Sequence, residues 1–261
     1  MGVNTKIKLI AKEELKNDVL KFTCLTPEIA KIAMPGQFIE LRVFKTFEPF
    51  LRRPISIYNV DKENNIIEFI VQIKGRGTKF LSQTEVGEEL DVLGPLGNGT
   101  FDIKNCKNIA IIGGGIGIFP LYELAKNSLS QANVNIYLGF RNKQYVMLEE
   151  EFTKVSTKLT ITTDDGTYGK NGYAIDYLKS DFDDLQIDGI FACGPLPMLQ
   201  KVKEFAESKK VYCQLSLEQR MACAIGACMG CSVKLNLGNS NIAYARVCKD
   251  GPVFEAEVVD I

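Results

Sequence analysis

The most constrained stretch of this chain is its C-terminal end, where cysteines crowd together. Four residues separate Cys223 from Cys228, two separate Cys228 from Cys231, and sixteen more precede Cys248, whereas Cys24, Cys106, Cys193 and Cys213 are scattered singly. The first three clustered cysteines have the spacing of plant-type [2Fe-2S] sites. Such a centre needs four thiolates on a compact frame, with a loop wrapping one side of it. Ala222, Ala224, Gly226, Ala227 and Gly230 lie beside the ligands, and small residues let backbone amides approach the cluster sulfurs. A structural zinc site with four cysteine ligands also explains four clustered thiols. Zinc sites usually pair two Cys-x-x-Cys knuckles, however, and only Cys228 and Cys231 form one here.

The chain has no histidine. This removes Ser-His and Cys-His nucleophilic pairs, imidazole metal sites, a Rieske centre, and the commonest general base near neutral pH. Lys and Arg total 31 against 32 Asp and Glu, a net charge of -1 that gives no reason to expect nucleic acid or an anionic membrane as partner. The N-terminal MGVNTKIKLIAKEEL lacks a signal-peptide apolar run, and no stretch approaches the ~20 apolar residues of a membrane span. A cytoplasmic protein is therefore expected. Its thiols stay reduced there, so eight cysteines call for an explanation other than disulfides.

The chain reads in three parts: 1–101, 102–215 and 216–261. In the first, Phe38–Val43, Ile55–Val60 and Ile66–Ile73 read as short strands between Gly, Pro and Asn turns, predicting a small antiparallel β-barrel. Leu93 to Gly99 (LGPLGNG) is too rich in breakers for an element and reads as the exit from the barrel. In the second, strands at 108–112, 134–140, 159–163, 189–193 and 211–215 alternate with helical patterns, notably 196–208. That alternation predicts a parallel α/β sheet covered on both faces. The third part is dominated by the cysteine cluster.

Two glycine-bearing strand ends then suggest a nucleotide. Gly113-Gly114-Gly115-Ile116-Gly117 lies between a strand and a helix, where phosphate oxygens can approach backbone amides. It is not the Rossmann fingerprint, because Ile118 stands where the third glycine belongs, and a tight strand-helix connection is the bland alternative. Cys193-Gly194-Pro195 ends another strand of the same sheet. Without a histidine to activate it, Cys193 reads as a small thiol near a ligand ring or merely as a buried one. In the barrel, Arg52-Arg53-Pro54-Ile55-Ser56 and Gly75-Arg76-Gly77-Thr78 could hold a pyrophosphate between them. Arg141 and Asp164-Asp165 stand at further strand ends, either as ribose or phosphate contacts or as solvated charges.

The order of these motifs, Arg-Pro-x-Ser, Gly-x-Gly-Thr, Gly-Gly-Gly-x-Gly and Cys-Gly-Pro, resembles the ferredoxin-NADP reductase superfamily. Leu217 to Cys223 (LEQRMAC) and Cys248 to Phe254 (CKDGPVF) narrow the resemblance to the electron-transfer subunits of type-B, NAD-dependent dihydroorotate dehydrogenase, over essentially the full length. The resemblance implies an FAD-binding barrel, with Arg53, Pro54, Ile55 and Ser56 near the flavin and its phosphates. It places Ile70, Val71 and Gln72 along the flavin, and Gly77 with Thr78 at the pyrophosphate. It implies [2Fe-2S] on Cys223, Cys228, Cys231 and Cys248, and NAD at Gly113, Gly114, Gly115, Gly117, Cys193 and Gly194. A separate FMN-containing catalytic subunit would oxidise dihydroorotate to orotate, in a heterotetramer of two plus two, with electrons passing through the cluster and FAD to NAD+. The alternatives are a diaphorase subunit of a cytosolic hydrogenase or transhydrogenase complex, and a non-enzymatic zinc-bearing scaffold.

Overall fold

The computed structural model describes residues 2–16, 18–43, 49–236 and 242–261. Six strands dominate the first hundred residues: β1 (Val3–Lys16), β2 (Val19–Leu25), β3 (Phe38–Arg42), β4 (Arg53–Asp61), β5 (Ile66–Gln72) and β6 (Glu89–Leu96). They close into an antiparallel barrel in the order β1-β2-β5-β4-β3-β6. Alternate residues point inward, among them Ile7 and Leu9 of β1, Ile39 and Leu41 of β3, and Ile67, Phe69 and Val71 of β5. Phe22 stacks on Phe69 with ring centroids 5.2 Å apart. Each such side chain contributes about 1.5–3 kcal/mol by leaving water. Helix α1 (Pro27–Ala30) adds Ile29 and Ala30 to this core, and α2 (Arg76–Ser82) adds Leu81.

One expectation is corrected here. The breaker-rich Leu93–Gly99 segment is not all exit, because β6 runs through Gly94 and Pro95 to Leu96. Gly94 pairs with Val3 of β1, and a Cβ on it would come within 2.6 Å of the Ile39 side chain. Glycine serves close packing in the barrel wall at this point, a demand that no local turn propensity reveals.

The next strands are β7 (Asn108–Gly114), β8 (Asn133–Phe140), β9 (Lys158–Thr163), β10 (Lys170–Asn171), β11 (Gly189–Cys193) and β12 (Tyr212–Ser216). The C-terminal segment adds β13 (Ser232–Asn236), β14 (Ile242–Arg246) and β15 (Val253–Glu255). A seven-stranded sheet has the order β10-β9-β8-β7-β11-β12-β15, parallel except for β15, while β13 and β14 pair separately. Ile109, Ala110, Ile111 and Ile112 of β7 are fully buried, as expected of a central parallel strand covered on both faces. The associated helices are α3 (Leu121–Ser128), α4 (Glu149–Lys154), α5 (Ala174–Asp181) and α6 (Leu196–Lys209). Gly113 and Gly114, read above as part of a turn, are the last two residues of β7; the turn itself is a 3₁₀ helix over Gly115–Ile118.

The chain divides into two compact units, and the cysteine segment is shared between them. Residues 218–232 and 246–252 belong with the barrel, whereas 233–236, 242–245 and 253–261 belong with the α/β sheet. Among the described residues, no helix is long and apolar enough to cross a membrane.

Candidate functional site

Three motifs that are separate in sequence meet on the barrel. Antiparallel pairing sets the start of β4 beside the end of β5, and β5 leads directly into α2. The Arg53 side chain crosses Gly77 so closely that a Cβ there would lie 2.5 Å from Nε. A larger residue there would push the arginine side chain aside. The Thr78 hydroxyl accepts the backbone N–H of Lys74 at 2.9 Å and of Gly75 at 3.2 Å, closing the turn that starts α2. Pairing of Glu40 with Pro54, and of Phe38 with Ser56, places Pro54 and Ser56 on the outer face of the wall. Ile55 packs against the core instead. Ile70 and Gln72 alternate with Val71, whose side chain lies in the barrel core; Val71 is therefore available to a ligand only through its backbone.

That outer face also carries a residue the sequence reading missed. Glu40 is 1 % exposed, and among the described residues neither of its carboxylate oxygens has a hydrogen-bond partner. Burial pushes its carboxyl up to about 7, against the opposing pull of Arg52 and Arg53. No local signal marks it, because a strand pattern does not say what will cover its outer face.

The clustered cysteines form two pairs within the same unit. The Cys228 N–H donates to Cys223 Sγ at 3.3 Å, and the Cys248 N–H donates to Cys231 Sγ at 3.4 Å. Among the described residues, no group of three Cys, Asp or Glu is arranged to hold one metal ion. Two pairs match a two-iron centre, in which each iron takes two thiolates. Burial works against the Cys223 thiolate, but backbone amides of Cys228, Ile225 and Ala227 aimed at its sulfur bring it down to about 6. Cys248 is pushed up to about 12, first by burial and then by the adjacent Cys231.

Arg246 and Asp250 fasten the two cysteine-bearing segments together. Arg246 Nη1 donates to the Gly226 carbonyl at 3.0 Å, while Nε and Nη2 donate to the two Asp250 oxygens at 2.8 and 2.9 Å. The Val247 N–H donates to the Cys231 carbonyl at 3.0 Å. The segment is in turn tied to the barrel, since Asn98 and Gly99 donate to the carbonyls of Lys249 and Gly251. The Arg246 guanidinium holds the Asp250 carboxyl below the usual carboxylate range. A depressed carboxylate stabilises above its unfolded pKa of about 3.9, and that contribution is lost as pH falls through the lower folded value. Asp250→Asn should thus loosen the segment at neutral pH. We expect iron loss to a chelator to accelerate about tenfold, as for other partners that orient ligands. The Asp250 contribution to iron retention should begin to fade only when the solution is more acid than about pH 4.

In the α/β unit the two glycine-bearing strand ends are neighbours. The chain runs outward from β7 to β8 and β9, then returns to place β11 on the other side of β7, with Cys193 paired to Gly113. Ligands bind at such a switch point, outside the carboxyl ends of the strands. Gly117 sits against this second strand end; a Cβ would lie 2.6 Å from Gly194 Cα and 2.7 Å from the Cys193 carbonyl oxygen. Cys193 itself is 2 % exposed, in keeping with a packed thiol. A crevice of about 390 Å³ opens beside them, lined by Gly114, Gly115, Arg141, Asp164, Tyr173 and Lys201 among others. Arg141 and Asp164 thus reach the crevice. Asp165 instead accepts the Thr167 N–H and hydroxyl, an ordinary polar turn. Tyr173 and Lys201 were not legible in the sequence because α5 and α6 bring them in from afar; Lys201 Nζ lies 4.9 Å from the Tyr173 ring centroid.

Comparison with known proteins agrees with this division of sites. Residues 6–101 match the oxidoreductase FAD-binding domain, residues 111–204 the oxidoreductase NAD-binding domain, and residues 218–260 the iron-sulfur cluster binding domain of dihydroorotate dehydrogenase B. The chain carries domains for FAD, NAD and an iron-sulfur cluster. Its fold is ferredoxin reductase-like: over its whole length it superposes with TM-score 0.86 and 31% identity on 91% of a chain from the NADH-dependent reduced ferredoxin-NADP oxidoreductase, a structure described for flavin-based electron bifurcation. Dihydroorotate dehydrogenase B (NAD(+)), electron transfer subunit, of Bacillus pumilus (strain SAFR-032) is 39% identical over 258 residues, covering 97% of this chain and 96% of that protein. The protein of the same description from Lysinibacillus sphaericus (strain C3-41) is 38% identical over 254 residues, 95% of each chain. By this likeness along nearly its entire length, the chain belongs to the family of electron transfer subunits of NAD(+)-dependent dihydroorotate dehydrogenase B.

Proposed function

We propose that this protein is the cytoplasmic relay of pyrimidine biosynthesis that passes electrons to NAD+ from an FMN-containing partner subunit oxidising dihydroorotate to orotate, the two subunits assembling two plus two. The observation that carries this reading is the sharing of one compact unit by the paired cysteines and the FAD-domain barrel. Bound flavin supplies the chemistry that links a one-electron carrier to a two-electron hydride acceptor. The work left to the chain is to hold the groups, orient them and exclude water, none of which requires histidine.

In this reading residues 1–101 serve FAD, 102–215 serve NAD, and 216–261 the cluster. Arg53, Pro54, Ser56, Ile70 and Gln72 face the flavin, Ile55 and Val71 back it, and Gly77 with Thr78 shapes the pyrophosphate turn. Cys223 with Cys228, and Cys231 with Cys248, each take one iron. Gly113, Gly114, Gly115, Gly117, Cys193 and Gly194 receive the nicotinamide nucleotide. Its adenosine end extends toward Arg141 and Asp164.

The test is purification followed by reconstitution. The protein should show flavin and cluster absorbance with about two irons per chain. With a candidate catalytic subunit, it should support dihydroorotate-dependent NAD+ reduction. A colourless protein holding one zinc defeats the redox reading. The structural likeness to the ferredoxin-NADP oxidoreductase chain favours a second reading, a subunit of a transhydrogenase-type complex. Co-purification with such a partner, and no coupling to dihydroorotate, would select it.

A further inference from the structure

Two strand ends of the α/β unit carry opposite charges side by side. Phe140 of β8 pairs with Thr163 of β9, and the Asp164 N–H donates to the Phe140 carbonyl at 3.0 Å. Arg141 and Asp164 are the next residues on these two strands, and both line the crevice of about 390 Å³. Both are exposed, and among the described residues neither side chain makes a hydrogen bond or an ion pair. Lys201 joins them from α6, its Nζ lying over the face of the Tyr173 ring. The charges around them are engaged elsewhere. Asp165 accepts from Thr167, and Lys143 Nζ lies 5.7 Å from the Tyr168 ring centroid. The crevice is therefore lined by two cations and a single carboxylate. At the end of β7, Gly115 takes a left-handed φ of 56°, and nothing lies within 4 Å of the point a Cβ would occupy. Its backbone is open to a phosphate, whereas Gly114 is covered by Pro195 and Met198. A dinucleotide with its pyrophosphate at Gly115 carries its adenosine ribose outward, toward the ends of β8 and β9.

A ribose with free hydroxyls donates to a carboxylate. A 2′-phosphate has no proton to donate at neutral pH, carries about −1.5 to −2 charges, and is repelled by the same group. An arginine meets a phosphate with paired N–H donors, so a guanidinium in this place attracts what the carboxylate rejects. We propose that Asp164 is the specificity-determining residue of the crevice: it accepts the adenosine ribose hydroxyls of NAD+ and by itself keeps out the 2′-phosphate of NADP+, which the adjacent Arg141 is placed to bind. This inference rests on the reading that the crevice receives the nicotinamide nucleotide, and deepens it by naming what excludes the phosphorylated form. Selectivity of this kind comes from one repulsive group rather than from a lack of attractive ones, so a single neutralising substitution uncovers a capacity for NADP+ already present in the chain.

The experiment measures binding by calorimetry to oxidised, full-length protein loaded with FAD and cluster. The ligands are NAD+ and NADP+, then AMP and adenosine 2′,5′-bisphosphate, each pair differing only by the 2′-phosphate. Wild type should bind NAD+ at least about a hundredfold more tightly than NADP+. Asp164→Asn should narrow that ratio to within about threefold, mostly by tightening NADP+, because asparagine keeps an acceptor for the ribose and loses the charge. Adding Arg141→Ala to Asp164→Asn should weaken NADP+ about tenfold more than NAD+. The AMP pair should follow the same order. All three crevice charges are exposed, so these substitutions disturb no packing, and melting temperatures should stay near wild type. An unchanged ratio in Asp164→Asn, or a gain in NADP+ binding that survives the loss of Arg141, overturns the proposal. Lys201→Glu checks the underlying reading, because a second carboxylate in the crevice should weaken NAD+ and NADP+ alike by at least about tenfold. If Lys201→Glu binds NAD+ as wild type does, the placement of the nucleotide fails; if it weakens binding and Asp164→Asn leaves the ratio unchanged, only the role of Asp164 does.

Discussion

Replacing Cys228 with alanine should strip the iron from this protein and leave its flavin in place. Cys228 is the exposed member of its pair, whereas Cys231 and Cys248 are 2 % and 1 % exposed. Its loss would remove one of the four proposed ligands without opening a cavity in packed structure, so the fold should survive. Loss of a partner that merely orients a ligand costs roughly 10–100-fold in metal affinity, and loss of the ligand itself should cost more. Iron per chain should fall from about two toward zero while FAD content stays at wild-type level. Reduction of an artificial acceptor by NADH should persist, since it needs only flavin and nucleotide. Dihydroorotate-dependent NAD+ reduction with the partner subunit should be abolished. The four readouts together test the order of the carriers. Loss of both activities in a folded, FAD-loaded variant would count against a path in which the cluster lies between flavin and partner.

The second large effect concerns the junction of the two strand ends. In Gly117→Val the added carbons would meet the backbone of Cys193 and Gly194, with the first of them 2.6 Å from Gly194 Cα. Backbone at the end of an interior strand cannot swing aside as a flexible side chain can, so the end of β11 and the turn after β7 must separate. Overpacking of this kind typically costs 1–3 kcal/mol, and a value at or above about 3 is expected where backbone is the obstacle. NADH affinity should drop at least about tenfold, because the displaced amides are those that line the switch point. FAD and iron contents should be unchanged, since the barrel and cysteine pairs belong to the other compact unit. Gly139→Ala is the comparison. Its added methyl meets nothing closer than 3.4 Å and should leave stability nearly unaltered. Equal destabilisation by the two substitutions would show that the close approach at Gly117 has no special weight.

Much of the architecture was readable because it is written in short-range patterns. The apolar runs of β7, β8 and β11 were placed within one or two residues, since a parallel strand buried on both faces leaves a continuous apolar trace. β1 left a weaker one, because its inward Ile7 and Leu9 are interleaved with lysines. β6 was not read as a strand, and its Leu93–Leu96 end was read as the exit from the barrel, since the place of Gly94 in the wall depends on Ile39 more than fifty residues earlier. The candidate sites divide in the same way. Arg53 to Ser56, Gly77, Gly113 to Gly117 and the four cysteines stood out as motifs. Glu40, Arg246, Asp250, Tyr173 and Lys201 did not, because each gains its significance from a residue that is distant in sequence or from what covers it.

The sequence by itself determined which chemistry is possible. Without histidine, and with four cysteines at iron-sulfur spacing, the chain can hold cofactors and carry electrons but lacks the usual side chain for proton abstraction near neutral pH. Those conclusions need only residue identity and local spacing. Tertiary structure alone decided that the cysteines pair as 223 with 228 and 231 with 248, that their segment belongs partly with the barrel and partly with the sheet, and that one carboxyl on β3 is sealed in without a partner. Pairing and burial arise from contacts between strands and segments far apart in the chain, and no local pattern encodes which of them will meet.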